Sequence, residues 1–290
     1  MDISQTKKVS VIVPNYNYAR FLKKRFRSIL KQTYPIYELV ILDDASVDGS
    51  DEIIETEIAK IKRKYPNVKL QYVRNEKNSG KVIAQWEKGF ELSTGDFVWI
   101  AEVDDSSKKD FLAETMKGFD DPEVVISYTE SEIINGKGIV IAPNFRWSRD
   151  REKTGHYNES YIKEGFREIE EIMAIRCTIP NVSAVVFRKA ERIPYLKYLD
   201  EAKVFSQVGD WFFYAKVLGH GKISYNKKSL NIFRIHKGSK TSISNDNGIH
   251  YKELVGMHKM FAIKNNLTGE VVDRMQREEK RIRRKHGIIE

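Results

Sequence analysis

The chain has 290 residues, of which 41% are apolar and 31% are charged, and its formal net charge is +9 at pH 7. This length and composition suffice to bury a full core in one large domain, or in one domain with an appendage. The single cysteine, Cys177, excludes an internal disulfide and a cysteine-rich zinc site. The positive charge leaves three kinds of partner open: nucleic acid, an anionic membrane surface and a phosphorylated small substrate.

Strands and helices alternate through the first hundred residues. Apolar runs predict strands at 9–13, 39–42, 68–73 and 97–101, the first of which is stopped by Pro14. Apolar residues at helical spacing predict a helix after each of the first three strands, with Asn17 as the cap of the first helix and Ser50 at the start of the second. This alternation predicts a parallel sheet covered by helices.

The alternation loosens beyond about residue 122. Strands are predicted at 124–128, 184–187 and 222–225, a helix follows Asp210, and a further helix runs from about residue 252 into a basic stretch. No uncharged apolar run reaches the roughly 18 residues that a membrane span needs. The apolar run before Pro14 is also too short for a secretory signal, so we expect neither.

Polar segments follow three of the predicted strands, at 14–17, 43–46 and 102–105. The carboxyl ends of parallel strands meet at one edge of a sheet, where open sheets bind ligands. The segment 102–105 contains three carboxylates, and such crowding favours a hard divalent cation with diphosphate oxygens as further ligands. The alternative is a solvated turn in which Ser106 and Ser107 cap the next helix.

The order and spacing of several short motifs identify the chain more closely. They are VIVPNYN at 11–17, QTYP at 32–35, LDDAS at 42–46 with DGS at 48–50, NSG at 78–80, and GD at 95–96 leading to the acidic segment. Together they resemble the family 2 glycosyltransferases, strongly over residues 8–125 and moderately over 200–241. The resemblance implies an α/β fold of the GT-A type (Rossmann-like, spore-coat-polysaccharide-synthesis-like), with a central, mostly parallel sheet flanked by helices and a C-terminal helical extension.

This resemblance also implies a domain organisation. A glycosyltransferase domain spans residues 1–245, with a nucleotide-sugar-binding half at about 8–125 and an acceptor-binding half at about 126–245. Residues 246–290 form a basic helical extension, which is either a solvated helix face, a surface for anionic lipid headgroups, or a linker to a further domain. We expect a cytoplasmic enzyme, which in the lipid-binding case lies peripherally at the inner face of the membrane.

The resemblance places the nucleoside diphosphate of a donor sugar against the rim of the sheet. The implied donor-binding residues are Pro14, Tyr16, Asn17, Asp44, Gly80, Glu102 and Asp104. Tyr16 offers a ring on which a base can stack, and Asp44 can accept a hydrogen bond from an imide N–H, which favours UDP or dTDP. Two structural alternatives remain open: Tyr16 packs on the first helix, and Asp44 caps the amides of neighbouring turn residues.

The family's DxD motif, which binds metal and donor, corresponds to EVD at 102–104. The resemblance implies that Asp104 ligates Mn²⁺ or Mg²⁺ directly. Glu102 is one methylene longer than the usual aspartate and is expected to face the ribose or a metal-bound water.

A later polar segment resembles the part of the family fold that closes over the diphosphate. It contains Arg234 and His236, followed by Ser239 and Thr241. If the segment is extended, Arg234 and His236 point to the same side, so both can address phosphate or metal. The resemblance makes His236 a second metal ligand, and the alternative is an ordinary surface histidine.

The family places an acidic residue at the start of an acceptor-side helix as general base, and here that residue is Asp210. Gly209 stands where the family commonly has a second acid. Asp105, Trp211 and Arg234 are expected on the diphosphate and acceptor side. The alternative for Asp210 is an ordinary helix N-cap.

We therefore expect an inverting, metal-dependent glycosyltransferase that moves a sugar from a nucleotide diphosphate donor to a saccharide or lipid-linked saccharide acceptor in cell-surface polysaccharide synthesis. A sugar nucleotidyltransferase is the nearest alternative, although the segment 14–17 lacks the glycine-rich, basic loop usual in such enzymes. A catalytically inactive nucleotide-sugar-binding module also remains open. We expect no nucleic-acid partner, because the basic residues are dispersed and the acidic rim repels phosphate without metal.

Overall fold

The computed structural model describes residues 7–236 and 248–288. In chain order the strands are β1 (Val9–Asn15), β2 (Glu38–Asp43), β3 (Lys69–Arg74), β4 (Phe97–Ile100), β5 (Ser106–Ser107), β6 (Val124–Asn135), β7 (Val140–Ala142), β8 (Tyr161–Glu164), β9 (Val185–Arg188) and β10 (Lys222–Ile235). They form one sheet in the order β3-β2-β1-β4-β9-β6-β10-β5, with β7 beside β6 and β8 beside β10.

The helices of the described residues lie on both faces of this sheet. They are α1 (Ala19–Leu30), α2 (Ser50–Lys64), α3 (Val82–Leu92), α4 (Phe111–Met116), α5 (Arg146–Arg149), α6 (Gly165–Glu168), α7 (Tyr195–Ala202), α8 (Gly209–Leu218), α9 (Ile249–Lys264) and α10 (Glu270–Lys285). Short 3₁₀ segments cover Lys117–Asp120 and Val182–Ala184, and a π-helical turn covers Ile169–Met173.

The first half of the chain is the predicted succession of strands and helices. Strands β3, β2, β1 and β4 pair in parallel, and α1, α2 and α3 connect them. In this half the apolar residues of neighbouring strand positions face opposite sides of the sheet, so each side has its own core. The predicted α/β fold with a mostly parallel sheet is therefore confirmed.

Two details of the first strand and helix were predicted wrongly. Pro14 does not stop β1; it pairs with Leu42, and β1 continues to Asn15. Proline is tolerated there because pairing with β4 has already ended at Ile100, so no ladder bond needs its missing N–H. Asn17 does not cap α1 either: the first helical residue, Ala19, donates its N–H to Asp48 Oδ2 at 2.9 Å, a carboxylate from the next loop.

The second half extends the sheet with longer and mostly antiparallel pairings. Strand β9 runs antiparallel to both β4 and β6, whereas β10 runs parallel to β6 along eleven paired positions. The strand predicted at 222–225 is only the start of β10, which continues to Ile235. Its far end therefore carries Arg234 to the edge at which the acidic segment ends.

The serines after the acidic segment do not cap a helix. Ser106 and Ser107 form β5, which pairs antiparallel with β10 at Ile232 and Asn231. Both serines are buried, and α4 begins only at Phe111. The solvated-turn alternative is wrong because β10, more than a hundred residues later in the chain, covers this segment.

The C-terminal helices α9 and α10 pack on the core that lies beneath α3, α7 and α8. Phe261 of α9 lies 5.8 Å from the Trp211 ring, centroid to centroid, and Met275 and Ile282 of α10 are buried in the same cluster. The predicted boundary near residue 245 falls outside the described residues. None of the helices in the described part of the chain combines the length and the apolar character that a bilayer span requires.

Candidate active site

The loops after β1 and β2 are joined by a buried hydrogen-bond network. Asn15 Nδ2 donates to Asp43 Oδ1 at 2.7 Å and to Ser46 Oγ at 3.0 Å. Asp43 in turn accepts from the Ser46 backbone N–H at 3.0 Å and from its hydroxyl at 2.6 Å. Asn17 joins the same loops, because its amide oxygen accepts from Val47 N at 2.8 Å. This network fixes the shape of the rim on which the predicted nucleotide residues lie.

Asp44 is not the turn cap that the sequence left as an alternative, because Asp43 fills that role. The Asp44 carboxylate instead accepts from Asn75 Nδ2 at 2.6 Å and from the N–H and hydroxyl of Ser79, at 3.0 and 2.7 Å. The chain then turns through Gly80, whose φ of 72° favours glycine. The Ser79 N–H also lies 3.1 Å from Oδ2, so each carboxylate oxygen accepts two hydrogen bonds, and Asp44 and Gly80 are brought together at this rim.

Tyr16 and Pro14 occupy different positions on this rim. Pro14 is buried within β1, whereas the Tyr16 side chain is 46% exposed just beyond the strand. An aromatic ring that is half open to solvent at the carboxyl edge of a parallel sheet meets the steric requirement for stacking on a base.

Glu102 lies between two side chains that the sequence motifs did not single out as site residues. Trp86 Nε1 donates to Glu102 Oε1 at 2.8 Å, and the Glu102 backbone N–H donates to Ser183 Oγ at 3.2 Å. Burial and the neighbouring charge of Asp104 raise the pKa of Glu102 to about 8. The carboxyl therefore holds a proton near neutral pH unless a cation approaches.

Asp105 is a buried connection between the acidic segment and β10. Its Oδ1 accepts the Arg234 backbone N–H at 3.0 Å, and a hydrogen bond from Ser183 also reaches the carboxyl. Burial, followed by the charge of Asp104, raises its pKa to about 7. Asp105 thus positions β10, and its side chain is only 4% exposed.

A fully buried arginine, Arg25 of α1, lies behind the three carboxylates. It donates to Ser107 Oγ at 3.1 Å and packs over the Trp99 ring, while its Nε and Nη2 have no hydrogen-bond partner among the described residues. Burial lowers the pKa of Arg25 to about 10, although the negative charges of Asp105, Glu102 and Asp104 act to raise it. The sequence did carry a signal, because Arg25 falls on the apolar stripe of α1 beside Leu22 and Ile29.

The structure brings the two predicted metal ligands, Asp104 and His236, into contact with each other. Asp104 Oδ2 lies 3.1 Å from His236 Nε2, and Arg20 Nη2 lies 3.3 Å from His236 Nδ1. Because a guanidinium only donates, Nδ1 is the acceptor in this arrangement and Nε2–H faces Asp104; a cation bound through Nε2 would require the proton to move to Nδ1 and Arg20 to turn away. His236 is 8% exposed and packs against Phe21, so the surface-histidine alternative is wrong.

Arg234 faces the same segment from the end of β10. Its Nε donates to the Asp104 carbonyl at 2.8 Å, and its guanidinium lies 5.1 Å from the Phe21 ring centroid. The predicted continuation of this segment, Ser239 and Thr241, lies outside the described residues.

Asp210 is the second residue of α8, after the N-cap Val208, so it is not the cap itself. Its Oδ1 accepts the Trp211 backbone N–H at 2.8 Å, and burial raises its pKa from 3.8 to about 6. Trp211 is a core residue whose indole N–H donates to Met173 O at 2.9 Å. Both Asp210 and Trp211 line a cavity of about 250 Å³ between α8 and the C-terminal helices.

Two observations relate Asp210 to its surroundings. Burial is the main cause of the raised pKa of Tyr214, and the charges of Asp210 and Glu102 raise it further. The buried Tyr214 hydroxyl is therefore within electrostatic range of both carboxylates. A Cβ at Gly209 would collide with the Ile83 side chain and lie 2.9 Å from Ala202 O. The backbone therefore leaves no room for the second acid that the family commonly has there.

The residues at the acidic segment fit a hard divalent cation that is held partly by substrate. No cluster of three or more His, Cys, Asp and Glu side chains within 7–236 and 248–288 is arranged to hold a metal by itself. Mg²⁺ and Mn²⁺ sites that bind nucleotides commonly use one or two protein ligands together with phosphate oxygens and water. Asp104 with His236 supplies such a pair, and a cation would also stabilise the Glu102 carboxylate, whose pKa is raised by burial and by the charge of Asp104.

Comparison with known proteins relates this arrangement to a family. A family model described as Glycosyl transferase family 2 matches residues 10–178. TuaG of Bacillus subtilis, named provisionally as a teichuronic acid biosynthesis glycosyltransferase, is 33% identical over 121 residues, which make up 42% of this chain and 45% of TuaG. Such matches span less than half the length of the first curated relatives.

Solved structures share the fold along almost the whole chain. TarS of Staphylococcus aureus, a poly(ribitol-phosphate) beta-N-acetylglucosaminyltransferase solved with UDP-GlcNAc, gives a TM-score of 0.63 at 18% identity, covering 97% of this chain and 74% of that one. The mannosyltransferase PcManGT of Pyrobaculum calidifontis, solved with GDP-Man and Mn²⁺, gives 0.57 at 18% identity, with 95% and 70% covered. With the family model matching more than half of its residues, the chain belongs to glycosyltransferase family 2.

Proposed function

We propose that the chain is an inverting, metal-dependent glycosyltransferase that transfers a sugar from a UDP- or dTDP-sugar to a saccharide or lipid-linked saccharide acceptor in cell-surface polysaccharide synthesis. One observation carries the proposal. A family 2 fold assembles the Asp104–His236 pair and the nucleotide-side residues at one sheet edge, and Asp210 lies in the wall of a neighbouring cavity.

The donor nucleoside binds at the rim formed after β1 and β2. The exposed ring of Tyr16 stacks on the base, and the Asp44 carboxylate accepts a hydrogen bond from the imide N–H of uracil or thymine in place of the Ser79 N–H that its two oxygens now share. Pro14, Asn17 and Gly80 shape the backbone around this pocket. The UDP and UDP-GlcNAc complexes of TarS favour UDP as the first donor to test.

Asp104 and His236 would hold Mn²⁺ or Mg²⁺, with Glu102 facing the ribose or a metal-bound water. When bound, such a cation stabilises the negative charge that develops on the departing diphosphate. The Mn²⁺ complex of PcManGT supports this assignment. Arg234 adds a fixed positive charge on the same side, because its guanidinium donates to the Asp104 carbonyl.

Asp210 is the general base of the transfer. It removes the proton of the acceptor hydroxyl while that oxygen attacks the anomeric carbon, and a single displacement of this kind inverts the anomeric configuration. Burial helps, because a carboxyl with a pKa of about 6 is still ionised at pH 7 and is more basic than an exposed aspartate. The Trp211 N–H holds one carboxylate oxygen in place and leaves the other for the hydroxyl.

The acceptor is a cell-surface saccharide or its lipid-linked precursor, in line with the names of TuaG and TarS. Attachment to lipid through α10 would be electrostatic only, because the apolar side of this helix is buried in the core. The exposed charges available for it are Arg277, Lys280, Arg284 and Lys285. Neutralising all four should abolish salt-sensitive binding to anionic vesicles; unchanged binding would exclude this contact.

Donor hydrolysis tests the proposal without knowledge of the acceptor, since water can replace the acceptor hydroxyl. Wild-type protein with Mn²⁺ is incubated with UDP-, dTDP- and GDP-sugars. The released nucleoside diphosphate is measured together with the anomer of the free sugar that forms. We expect slow, metal-dependent release from one nucleotide class with inversion at the anomeric carbon. Release of a sugar 1-phosphate would indicate a nucleotidyltransferase, and no reaction despite tight nucleotide binding would indicate an inactive binding module.

A further inference from the structure

The cavity beside Asp210 carries a concentration of arginine side chains that the catalytic proposal does not use. Its wall includes Arg176, from the segment after the π-helical turn, and Glu278 and Arg281 of α10. The C-terminal helices therefore form part of the same cavity as the proposed general base. Any acceptor group that enters this cavity meets side chains of α10 as well as Asp210.

Two arginines of the cavity wall share one carboxylate, that of Glu278. Arg281 binds Glu278 through Nε and Nη2 at 2.8 and 2.7 Å, and Arg176 Nη2 lies 3.4 Å from the same carboxylate. A third guanidinium, that of Arg151, lies at the edge of the cavity, because its Nε donates to the carbonyl of the wall residue Ser148 at 2.8 Å. Two cations thus contact the Glu278 carboxylate and a third lies at the edge of the same cavity, whose other acid is Asp210. Arg149, also in the wall, is already matched by the buried Glu130.

Hydrogen-bond capacity remains on these arginines. Within the described residues, Arg151 donates only through Nε, to the Ser148 carbonyl at 2.8 Å, and its side chain is exposed. Arg281 keeps its Nη1 free of hydrogen bonds to the described residues, and its side chain is one-third exposed. A guanidinium has five donors in a planar fork that matches carboxylate and phosphate oxygens.

We propose that Arg151, Arg176 and Arg281 bind an anionic group of the acceptor, a phosphate or a carboxylate, so that a neighbouring acceptor hydroxyl faces Asp210. This inference rests on the proposed function for the role of Asp210, whereas the anion site itself rests on the arginine cluster and the cavity. It assigns the acceptor to the negatively charged saccharides and polyol phosphates and gives α10 a part in acceptor selection.

Calorimetric titration of the full chain tests the site with small probes. Glycerol phosphate and glucuronate are the charged probes, and glycerol and glucose are their neutral counterparts; UDP and Mg²⁺ are kept saturating so that the donor site is filled. We expect saturable binding of at least one charged probe and none of its neutral counterpart. Binding of glycerol phosphate alone identifies a phosphate-bearing acceptor, and binding of glucuronate alone identifies a uronate-bearing one.

Three variants locate the binding. Arg151→Gln and Arg281→Gln should each weaken it by about tenfold, the usual effect of losing one charge-assisted hydrogen bond. Arg284→Gln removes the same charge from an exposed position of α10 outside the cavity wall and should leave the affinity unchanged. Arg151→Gln keeps the test valid if Arg281→Gln loosens α10, because Arg151 is exposed and contacts only a loop carbonyl.

The inference is overturned if neither charged probe binds, or if all three variants weaken binding equally. Failure of the donor site has a separate signature. If UDP does not bind in the preceding titration, the proposed function fails, and the same probe titrations without UDP still decide whether the arginine cluster binds anions.

Discussion

Replacing Asp210 with asparagine should raise stability and remove activity together. Asparagine has the same shape and keeps an oxygen that can accept the Trp211 N–H, so the change removes little besides the buried charge. Because burial raises the pKa of Asp210, the carboxylate is less stable in the folded chain than in the unfolded one. The substitution therefore separates a catalytic carboxylate from a structural one.

The magnitude follows from the pKa. The difference between 3.8 and about 6 corresponds to at most about 3 kcal/mol, since each pKa unit is worth about 1.4 kcal/mol. Water in the cavity screens part of this cost, so we expect Asp210→Asn to raise the free energy of unfolding at pH 7 by roughly 1–2 kcal/mol. The gain should be absent below pH 3.8, where both states are protonated, grow between pH 3.8 and about 6, and be complete above that.

The assay combines urea unfolding at several pH values with donor hydrolysis. Hydrolysis by Asp210→Asn should fall by roughly 10²-fold or more, the usual scale for a lost general base, while UDP affinity stays unchanged. In the wild type, kcat/KM should fall as pH drops below about 6. Glu52→Gln, which removes an exposed acid from the first turn of α2, is the matched control and should lose a few tenths of a kcal/mol without losing activity. Near-normal hydrolysis would show that Asp210 is not the general base, and a loss of stability at pH 7 would show that its buried charge is not destabilising.

Three further predictions concern other parts of the site. Gly209→Ala should cost roughly 1–3 kcal/mol of stability by overpacking, whereas Gly256→Ala, in open space on α9, should stabilise the chain by up to about 1 kcal/mol. Equal effects of the two substitutions in thermal unfolding would contradict the close contact of Gly209 with Ile83 and the Ala202 carbonyl. Arg25→Met should lower the free energy of unfolding by roughly 3 kcal/mol in metal-free buffer, whereas the exposed control Arg27→Met should lower it by less than about 0.5 kcal/mol. Similar urea midpoints for the two variants would show that Arg25 does not offset the charge of the buried acids. Tyr16→Ala should weaken UDP binding about tenfold while Tyr16→Phe binds normally, and wild-type affinity in the alanine variant would remove the stacking contact.

The periodicity of apolar residues predicted most of the first half of the fold. Period-two and period-3.6 patterns depend on residues that are close in the sequence, and they predicted β1 to β4 and α1 to α3. The order of motifs then gave the family and, with it, the pairing of Asp104 with His236, which no local pattern contains.

The rest depends on contacts between distant segments. Burial of Asp105 follows from the Arg234 N–H of β10, and Ser183 reaches the acidic segment from a 3₁₀ turn some eighty residues away. No pattern near either residue indicates such a partner. The missing N–H of Pro14 is apparent from the sequence, which is why the strand was predicted to end there. The sequence does not show that pairing with β4 ends before Pro14, and this is why the proline is tolerated inside β1.

Calorimetric titration of UDP into the wild-type chain and into Asp104→Ala, with and without Mn²⁺, is the sharpest test of whether the acidic segment binds a metal together with a nucleotide. We expect UDP to bind the wild type more tightly with Mn²⁺ than without it, and this metal dependence to be lost in the variant. Equal binding of UDP to both proteins, or no binding of UDP under either condition, would contradict the assignment of the acidic segment and its rim as a metal–nucleotide site.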